Sequence, residues 1–373
     1  MAESTQLVDL VHSRIDEFLA DRTSIVASIS QDLTPLLDFS RQFLSGGKRF
    51  RALFCYWGWQ SVSGIDDNFD PFAESTPVAD LSPVVTVAAA LEMFHAAALV
   101  HDDIIDNSDT RRGAASAHKL FETLHAEADW AGSEIEYGRA AAILLGDLLL
   151  GWSDELIDAG LDPLENRSAA RTARSEFNRM RTEVTAGQYL DILEERAWLR
   201  RPEDELRSRA ERVIVYKSAK YSVQAPLVIG AAMAGGDTAQ LDALRSFGLP
   251  LGIAYQLRDD LLGVFGDAEV TGKPSGDDLR EGKRTVLIAL TRERVPASTR
   301  RILDELLGDA GLDETQVRML QSTIRESGAV DEVEALISRN VVRAVTTMTD
   351  ARLSRLARRR LSDLAETVTH RDA

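Results

Sequence analysis

The feature that most limits what this chain can fold into is an apolar run from Val84 to Ile105 that closes on three acids, His101-Asp102-Asp103-Ile104-Ile105-Asp106. Ser82-Pro83 stands just before it, and a Ser N-cap followed by Pro at the first helical position reads as a helix start. On a helix, residues four apart share a face, which stacks Asp102 over Asp106 with Asp103 beside them. Carboxylates this close repel one another, so something positive has to stand among them. Oxygen donors with no cysteine nearby suit a hard cation. Mg²⁺ takes one or two carboxylates and completes its shell with water and substrate phosphates. A solvated helix end carrying three acids is the plainer alternative, and this motif alone does not exclude it.

The rest of the chain predicts an all-α protein. Apolar residues recur at spacings of three and four, and strand-like alternation is scarce. The pattern predicts helices over about 5–28, 32–43, 49–61, 83–107, 115–126, 137–160, 164–199, 204–234, 238–265, 283–293, 297–308, 313–325, 329–348 and 350–368. Asp162-Pro163 marks another helix start. Residues 62–82, 127–137 and 266–282 read as loops. No linker separates two cores, so residues 1–373 read as a single all-helical domain.

Charge and cysteine content narrow the partners. A formal net charge of -17 argues against nucleic acid and anionic membranes. The single cysteine, Cys55, excludes an intramolecular disulfide, as expected in a reducing cytoplasm. The N-terminus lacks a basic start and an apolar core, so no signal peptide is expected. The longest apolar stretches, around 140–150 and 225–234, are too short to span a bilayer, and no transmembrane segment is expected.

Two further features bear on chemistry. Tyr255-Gln256-Leu257-Arg258-Asp259-Asp260-Leu261-Leu262-Gly263 ends a second apolar helix on acids. Two acid-bearing helix ends suggest two sides of one metal site. Facing clusters of like charge tolerate one another only with several divalent ions between them, and such ions ask for a polyanion such as a diphosphate. Bases stand near these acids in sequence: Gly46-Gly47-Lys48-Arg49-Phe50-Arg51, Arg111-Arg112-Gly113, Lys217, Lys220, Lys273, Lys283 and Arg284. Arginine forks match phosphate oxygens, and lysine supplies a mobile point charge. The arginines of 352–360 read as a solvated helix face.

The order GGKRFR, HAAALVHDDIID with RRG, YKS, YQLRDD, then GK and GDDLREGKRT resembles the trans-isoprenyl diphosphate synthases of the polyprenyl synthetase family. The resemblance runs from about residue 46 to 285. It implies an all-α, isoprenoid synthase-type helical bundle around a deep central cavity, and a homodimer. It implies that Asp102, Asp103 and Asp106 hold two Mg²⁺ ions on an allylic diphosphate, with a third ion at Asp259 and Asp260. Arg111, Lys217 and Lys273 would bind that diphosphate. Lys48, Arg51, His95 and Arg112 would bind the diphosphate of isopentenyl diphosphate. Ser218 and Gln256 would stand beside the allylic carbon.

The chain departs from the family pattern at Gly263, where a third aspartate is common, and Asp267 is a candidate substitute. After Arg111-Arg112-Gly113, Ala115-Ser116 stands where the family usually has Pro-Thr. In the family, bulky residues just upstream of the first acid cluster stop chain growth. Ala97 and Ala98 leave that way open, and Phe94 lies roughly 12 Å down the helix at 1.5 Å per residue. A product longer than fifteen carbons is expected, with geranylgeranyl diphosphate favoured and a longer polyprenyl diphosphate as the alternative. A class I terpene cyclase is the nearest rival, although cyclases usually lack the Lys48, Arg51 and Arg112 set. A non-catalytic partner subunit is a further rival, and the intact acid clusters argue against it. His101-Asp102 also matches half of a phosphohydrolase metal dyad, but the chain's other histidines lack suitable spacing.

Overall fold

The computed structural model describes residues 2–64, 80–266, 275–348 and 351–369. Among these the regular secondary structure is helical apart from one two-stranded hairpin, in agreement with the all-α expectation. The backbone divides into two compact units. Unit 1 comprises Met1–Arg174 and Ile229–Gly236, and unit 2 comprises Ser175–Val228 and Asp237–Ala373.

Unit 1 contains α1 (Ala2–Ile29), α2 (Thr34–Leu44), α3 (Phe50–Ser63), α4 (Ser82–Ile105), α5 (Ala117–Glu127) and α6 (Glu134–Leu161). Helix α4 is its core and packs against α1, α3 and α6. Val87, Ala88, Leu91, Met93, Ala97 and Val100 are buried on it. Its alanines let neighbours approach closely, and burial of the larger side chains contributes about 1.5–3 kcal/mol each. The apolar runs read from the sequence at 140–150 and 225–234 are not the longest: α4 itself has the length and hydropathy of a membrane span, but 78% of that window is buried within the protein.

Helix starts are shifted from the sequence reading. Ser82 is already helical, and its N–H donates to Asp80 Oδ1 at 2.9 Å. After Asp162-Pro163 the chain turns, and α7 (Arg167–Ala197) begins behind Asn166, whose Oδ1 accepts from Ser168 and Ala169 N–H, each at 3.1 Å. In both places a short polar side chain outside the helix satisfies the first free N–H groups, so the proline marks the approach rather than the cap.

The hairpin pairs Thr110–Arg111 (β1) with Ala114–Ala115 (β2). Its two turn residues, Arg112 and Gly113, have φ of 54° and 76°. A two-residue turn with both φ positive follows the natural twist of paired strands. Strands of two residues are too short to leave an alternating pattern, so the sequence reading missed them.

Unit 2 carries the later part of α7, then α8 (Leu206–Val213), a π-helical stretch Ile214–Gln224, and α9 (Ala225–Met233), whose last residues return to unit 1. It continues with α10 (Thr238–Phe265), α11 (Asp277–Glu281), α12 (Val286–Arg294), α13 (Ala297–Leu306), α14 (Glu314–Glu326), α15 (Ala329–Thr347) and α16 (Arg355–Thr369). α10 starts on a capping box between Asp237 and Gln240 and packs on the π-helical stretch and α15. Leu257, Leu261, Leu279, Leu287, Val317 and Val333 share one apolar core. α11 falls inside the predicted loop 266–282, because a single turn bounded by glycines carries no readable apolar period.

Candidate active site

In unit 1, Asp102 and Asp103 stand in the last turn of α4 and Asp106 caps it. The Asp103 side chain is fully buried, and Arg111 Nε donates to its Oδ1 at 2.9 Å. Arg111 Nη2 also contacts Asp103 and lies 3.7 Å from Asp102 Oδ2. One positive partner of the cluster is Arg111, brought back by the hairpin. His101 turns to α6, with Nε2 3.3 Å from the Ile143 carbonyl and 3.5 Å from Asp147 Oδ1.

A basic group forms beside this cluster on the same unit. The Gly46-Gly47 turn lies against Arg112: a Cβ on Gly47, where φ is 84°, would meet Arg112 Nη1 at 3.1 Å. Arg112 Nη1 donates to the Ser45 carbonyl at 3.5 Å. Lys48 is exposed, and Arg51 is half-buried in the first turn of α3. Burial, together with the positive charges of Arg51, Arg112, Arg111 and Arg49, holds the His95 imidazole well below its ordinary pKa, so it is neutral at pH 7. The Arg112 pKa is lowered by burial, opposed by Glu92 and reinforced by the other arginines. Lys48 apart, the expected isopentenyl-side residues Arg51, His95 and Arg112 thus feel one another directly. Such a concentration of positive charge suits an anion.

Arg49 is different. It lies in the left-handed region with φ 50°, is 6% exposed, and points inward. Nη1 pairs with Glu92 Oε2 at 3.4 Å, and Nη2 donates to the Leu44 carbonyl. Glu92 Oε1 accepts the Ala52 N–H at 3.1 Å. Glu92 therefore ties α4 to the turn that presents Arg51. The sequence reading grouped Arg49 with phosphate-facing bases and passed over Glu92. The signal was there: Glu92 is the single carboxylate between Val84 and Val100.

One pH effect follows from His95. The unfolded imidazole takes up a proton near pH 6.5, whereas the folded one does so only well below it. The unfolded chain binds more protons in that window, so stability falls as pH drops below about 6.5, by up to about 1.4 kcal/mol per pH unit. Thermal melts from pH 7.5 to 5.5 are expected to show a steeper decline for the parent than for His95→Gln. Parallel declines would contradict this.

In unit 2, Lys217 and Ser218 lie on the π-helical stretch, and Gln256, Asp259 and Asp260 on α10. Lys217 Nζ pairs with Asp191 Oδ2 at 2.5 Å, and Lys220 Nζ with Glu183 Oε1 at 2.7 Å. The sequence reading missed Asp191. Its signal was Gly187-Gln188 inside a long polar helix: a Cβ on Gly187 would come within 2.8 Å of Lys217 Cα, so only glycine lets α7 approach there. Lys273 and Asp267 lie outside the described residues.

Gln256 Nε2 donates to Asp260 Oδ1 at 2.7 Å. Arg258 faces elsewhere, with Nη1 and Nη2 on the two oxygens of Glu334 at 2.6 and 2.7 Å and Nε on the Thr369 carbonyl at 2.9 Å. This clamp fixes the roll of α10 at its acids. Burial, followed by repulsion from Asp278 and Asp259, pushes the Asp260 carboxyl well above its ordinary pKa, against the Gln256 hydrogen bond and Lys283. Asp260 Oδ2 is buried and has no hydrogen-bond partner. A buried carboxylate oxygen lacking a donor, among other acids, fits a hard divalent cation.

Arg284, placed among the phosphate-facing bases by the sequence reading, instead stacks on Trp198 with Cζ 3.8 Å from the ring centre. Burial and Arg292 bring its pKa down to about 10, which leaves it charged at pH 7. Among the described residues no three His, Cys, Asp or Glu side chains form a metal cage unaided. Mg²⁺ held by one or two carboxylates plus phosphate oxygens requires no such cage.

The family profile described as polyprenyl synthetase matches residues 34–324. A geranylfarnesyl diphosphate synthase of Aeropyrum pernix is 30% identical over 291 residues, covering 78% of this chain and 79% of its own. A geranylgeranyl diphosphate synthase of Sulfolobus acidocaldarius is 30% identical over 305 residues, covering 81% and 80%. A crystal structure of geranylgeranyl pyrophosphate synthase from Corynebacterium glutamicum, complexed with isoprenyl diphosphate and magnesium, matches at a TM-score of 0.89 and 36% identity, covering 98% of this chain and 99% of that one. Helical fold, acid-bearing helix ends and clustered arginines define a prenyl-transferring synthase. The chain belongs to the polyprenyl synthetase family.

Proposed function

We propose that this enzyme condenses isopentenyl diphosphate with an allylic prenyl diphosphate, with Mg²⁺ as cofactor, and that geranylgeranyl diphosphate is its main product. The observation that carries this reading is the adjacency in unit 1 of an acid cluster bridged by Arg111 and a basic group of Arg51, His95 and Arg112. Acids suit a metal-bound allylic diphosphate, and bases suit a diphosphate that binds without metal.

Asp102, Asp103 and Asp106 would hold two ions, and Asp259 with Asp260 a third, all on one diphosphate. When bound, the ions neutralise charge growing on the departing diphosphate. Arg111, Lys217 and Lys273 would bind that diphosphate. Lys48, Arg51 and Arg112 bind the second diphosphate as cations, and neutral His95 serves it as an N–H donor. The Ser218 hydroxyl and the Gln256 side-chain oxygen would stand beside the allylic carbon and stabilise positive charge developing there. An apolar surrounding would exclude water from that cation. The double bond of isopentenyl diphosphate then attacks the allylic carbon, and a proton is lost, with the departing diphosphate as acceptor.

Pure protein given Mg²⁺, labelled isopentenyl diphosphate and allylic primers of several lengths should incorporate label into longer chains. Hydrocarbon formed from the primer alone would make it a cyclase, and no turnover would make it a partner subunit. Phe94, 4% exposed on α4, is proposed as the floor that stops growth. Phe94→Ala is expected to shift the products to longer chains. An unchanged distribution would exclude Phe94 as the floor. The Aeropyrum relative favours, as a second reading, a product one isoprene unit longer from the parent enzyme.

Ile143 and Leu144, 45% and 64% exposed on α6, support self-association as a homodimer, which light scattering would test. Burial raises the Cys55 thiol to about 12 and keeps it unreactive, in keeping with a cytoplasmic protein that needs no disulfide.

A further inference from the structure

The acids of α10 run Asp259-Asp260-Leu261-Leu262-Gly263, so the position one turn beyond Asp259 on the same face has no side chain. The space beside it is filled from elsewhere. A Cβ on Gly263 would overlap the carboxylate of Asp278, meeting even the farther oxygen, Oδ1, at 2.8 Å. Asp278 therefore lays its carboxylate on the bare backbone of α10, where a side chain at 263 would otherwise project.

We infer that Asp278 supplies the third carboxylate of the α10 acid cluster and helps hold a divalent cation there, in place of the residue missing at 263. This rests on the magnesium–diphosphate reading above. Asp260 is 5% exposed, and its Oδ2 is buried without a hydrogen-bond partner. Asp278 leads the charged groups that repel it. The nearby base is Lys283, whose Nζ is 3.3 Å from Asp278 Oδ1 and 2.6 Å from Glu281 Oε2. Asp260 Oδ2 accepts from no donor, and a divalent cation would satisfy it.

The mount of Asp278 is set by packing and backbone hydrogen bonds. α11 lies between two left-handed glycines, Gly276 at φ 76° and Gly282 at φ 81°. Leu279 is fully buried in the core shared with Leu257 and Leu261. Its carbonyl accepts the Gly308 N–H at 2.9 Å, and the Asp278 carbonyl accepts the Gly282 and Lys283 N–H groups, both at 3.1 Å. A carboxylate held this way costs little further ordering when a cation arrives.

Mn²⁺ titrated into the full chain with inorganic diphosphate, followed by electron paramagnetic resonance, tests the inference. Asp278→Asn is expected to weaken Mn²⁺ binding about tenfold or more, the scale seen when groups supporting a metal are removed. Its metal-free melting temperature should be kept or raised. Gly263→Asp alone forces two carboxylates into one space and is expected to lower the melt. Gly263→Asp combined with Asp278→Ala returns a single carboxylate to the same place and should recover Mn²⁺ affinity. Asp278→Asn binding Mn²⁺ like the parent, or a double variant that folds yet stays as weak as the single one, would overturn the inference alone. A parent protein that binds no Mn²⁺ with diphosphate would overturn the magnesium reading and this inference together.

Discussion

Asp102→Asn is expected to lower kcat/KM for chain elongation by about a thousandfold, the scale of losing one preorganised contact to charge that develops in a transition state. Arg111 grips Asp103 more closely than Asp102: it donates to Asp103 at 2.9 Å and stands 3.7 Å from Asp102. Under the proposed function the Asp102 carboxylate would serve the metal. Melting temperature without metal should be unchanged or higher, because a repelling charge is gone. Steady-state incorporation of labelled isopentenyl diphosphate measures the effect. Activity within tenfold of the parent, in a folded protein, would remove Asp102 from the metal site.

Glu92→Ala should have the largest effect on stability. It leaves Arg49, 6% exposed, as an uncompensated buried cation and strips the Ala52 N–H of its acceptor. Removing one partner of a buried ion pair costs about 3–5 kcal/mol. Glu92→Gln retains an acceptor for Ala52 and should cost less, about 1–3 kcal/mol. Calorimetric melts of both variants test this. The alanine variant should also lose affinity for isopentenyl diphosphate, since the turn bearing Arg51 is tied to α4 through Glu92. A loss below about 1 kcal/mol for the alanine variant would mean that Arg49 finds another partner.

These two residues mark what was legible in the sequence. Asp102 sits in a contiguous motif at the end of an apolar helix, where spacing alone states which side chains share a face. Helices with a clear apolar stripe, such as α10, were legible for the same reason. Glu92 shows as a single charge in an apolar run, and its partner lies across a turn whose left-handed residues leave no spacing rule. Asp191 and Asp278 act across glycines that matter for what approaches them, which is a property of packing rather than of spacing. The hairpin was hidden by its brevity, and the π-helical stretch Ile214–Gln224 by its near-helical apolar pattern. Arg284 read as a phosphate-facing base because charge is visible in sequence while its stacking on Trp198 is not.

The most direct test is a crystal structure of the protein with Mg²⁺ and an unreactive allylic diphosphate analogue. The account predicts that oxygens of Asp102 and Asp259 each lie about 2.0–2.1 Å from Mg²⁺ ions that share one diphosphate. A diphosphate bound through one of these aspartates alone, with the other facing solvent and no metal, would contradict it.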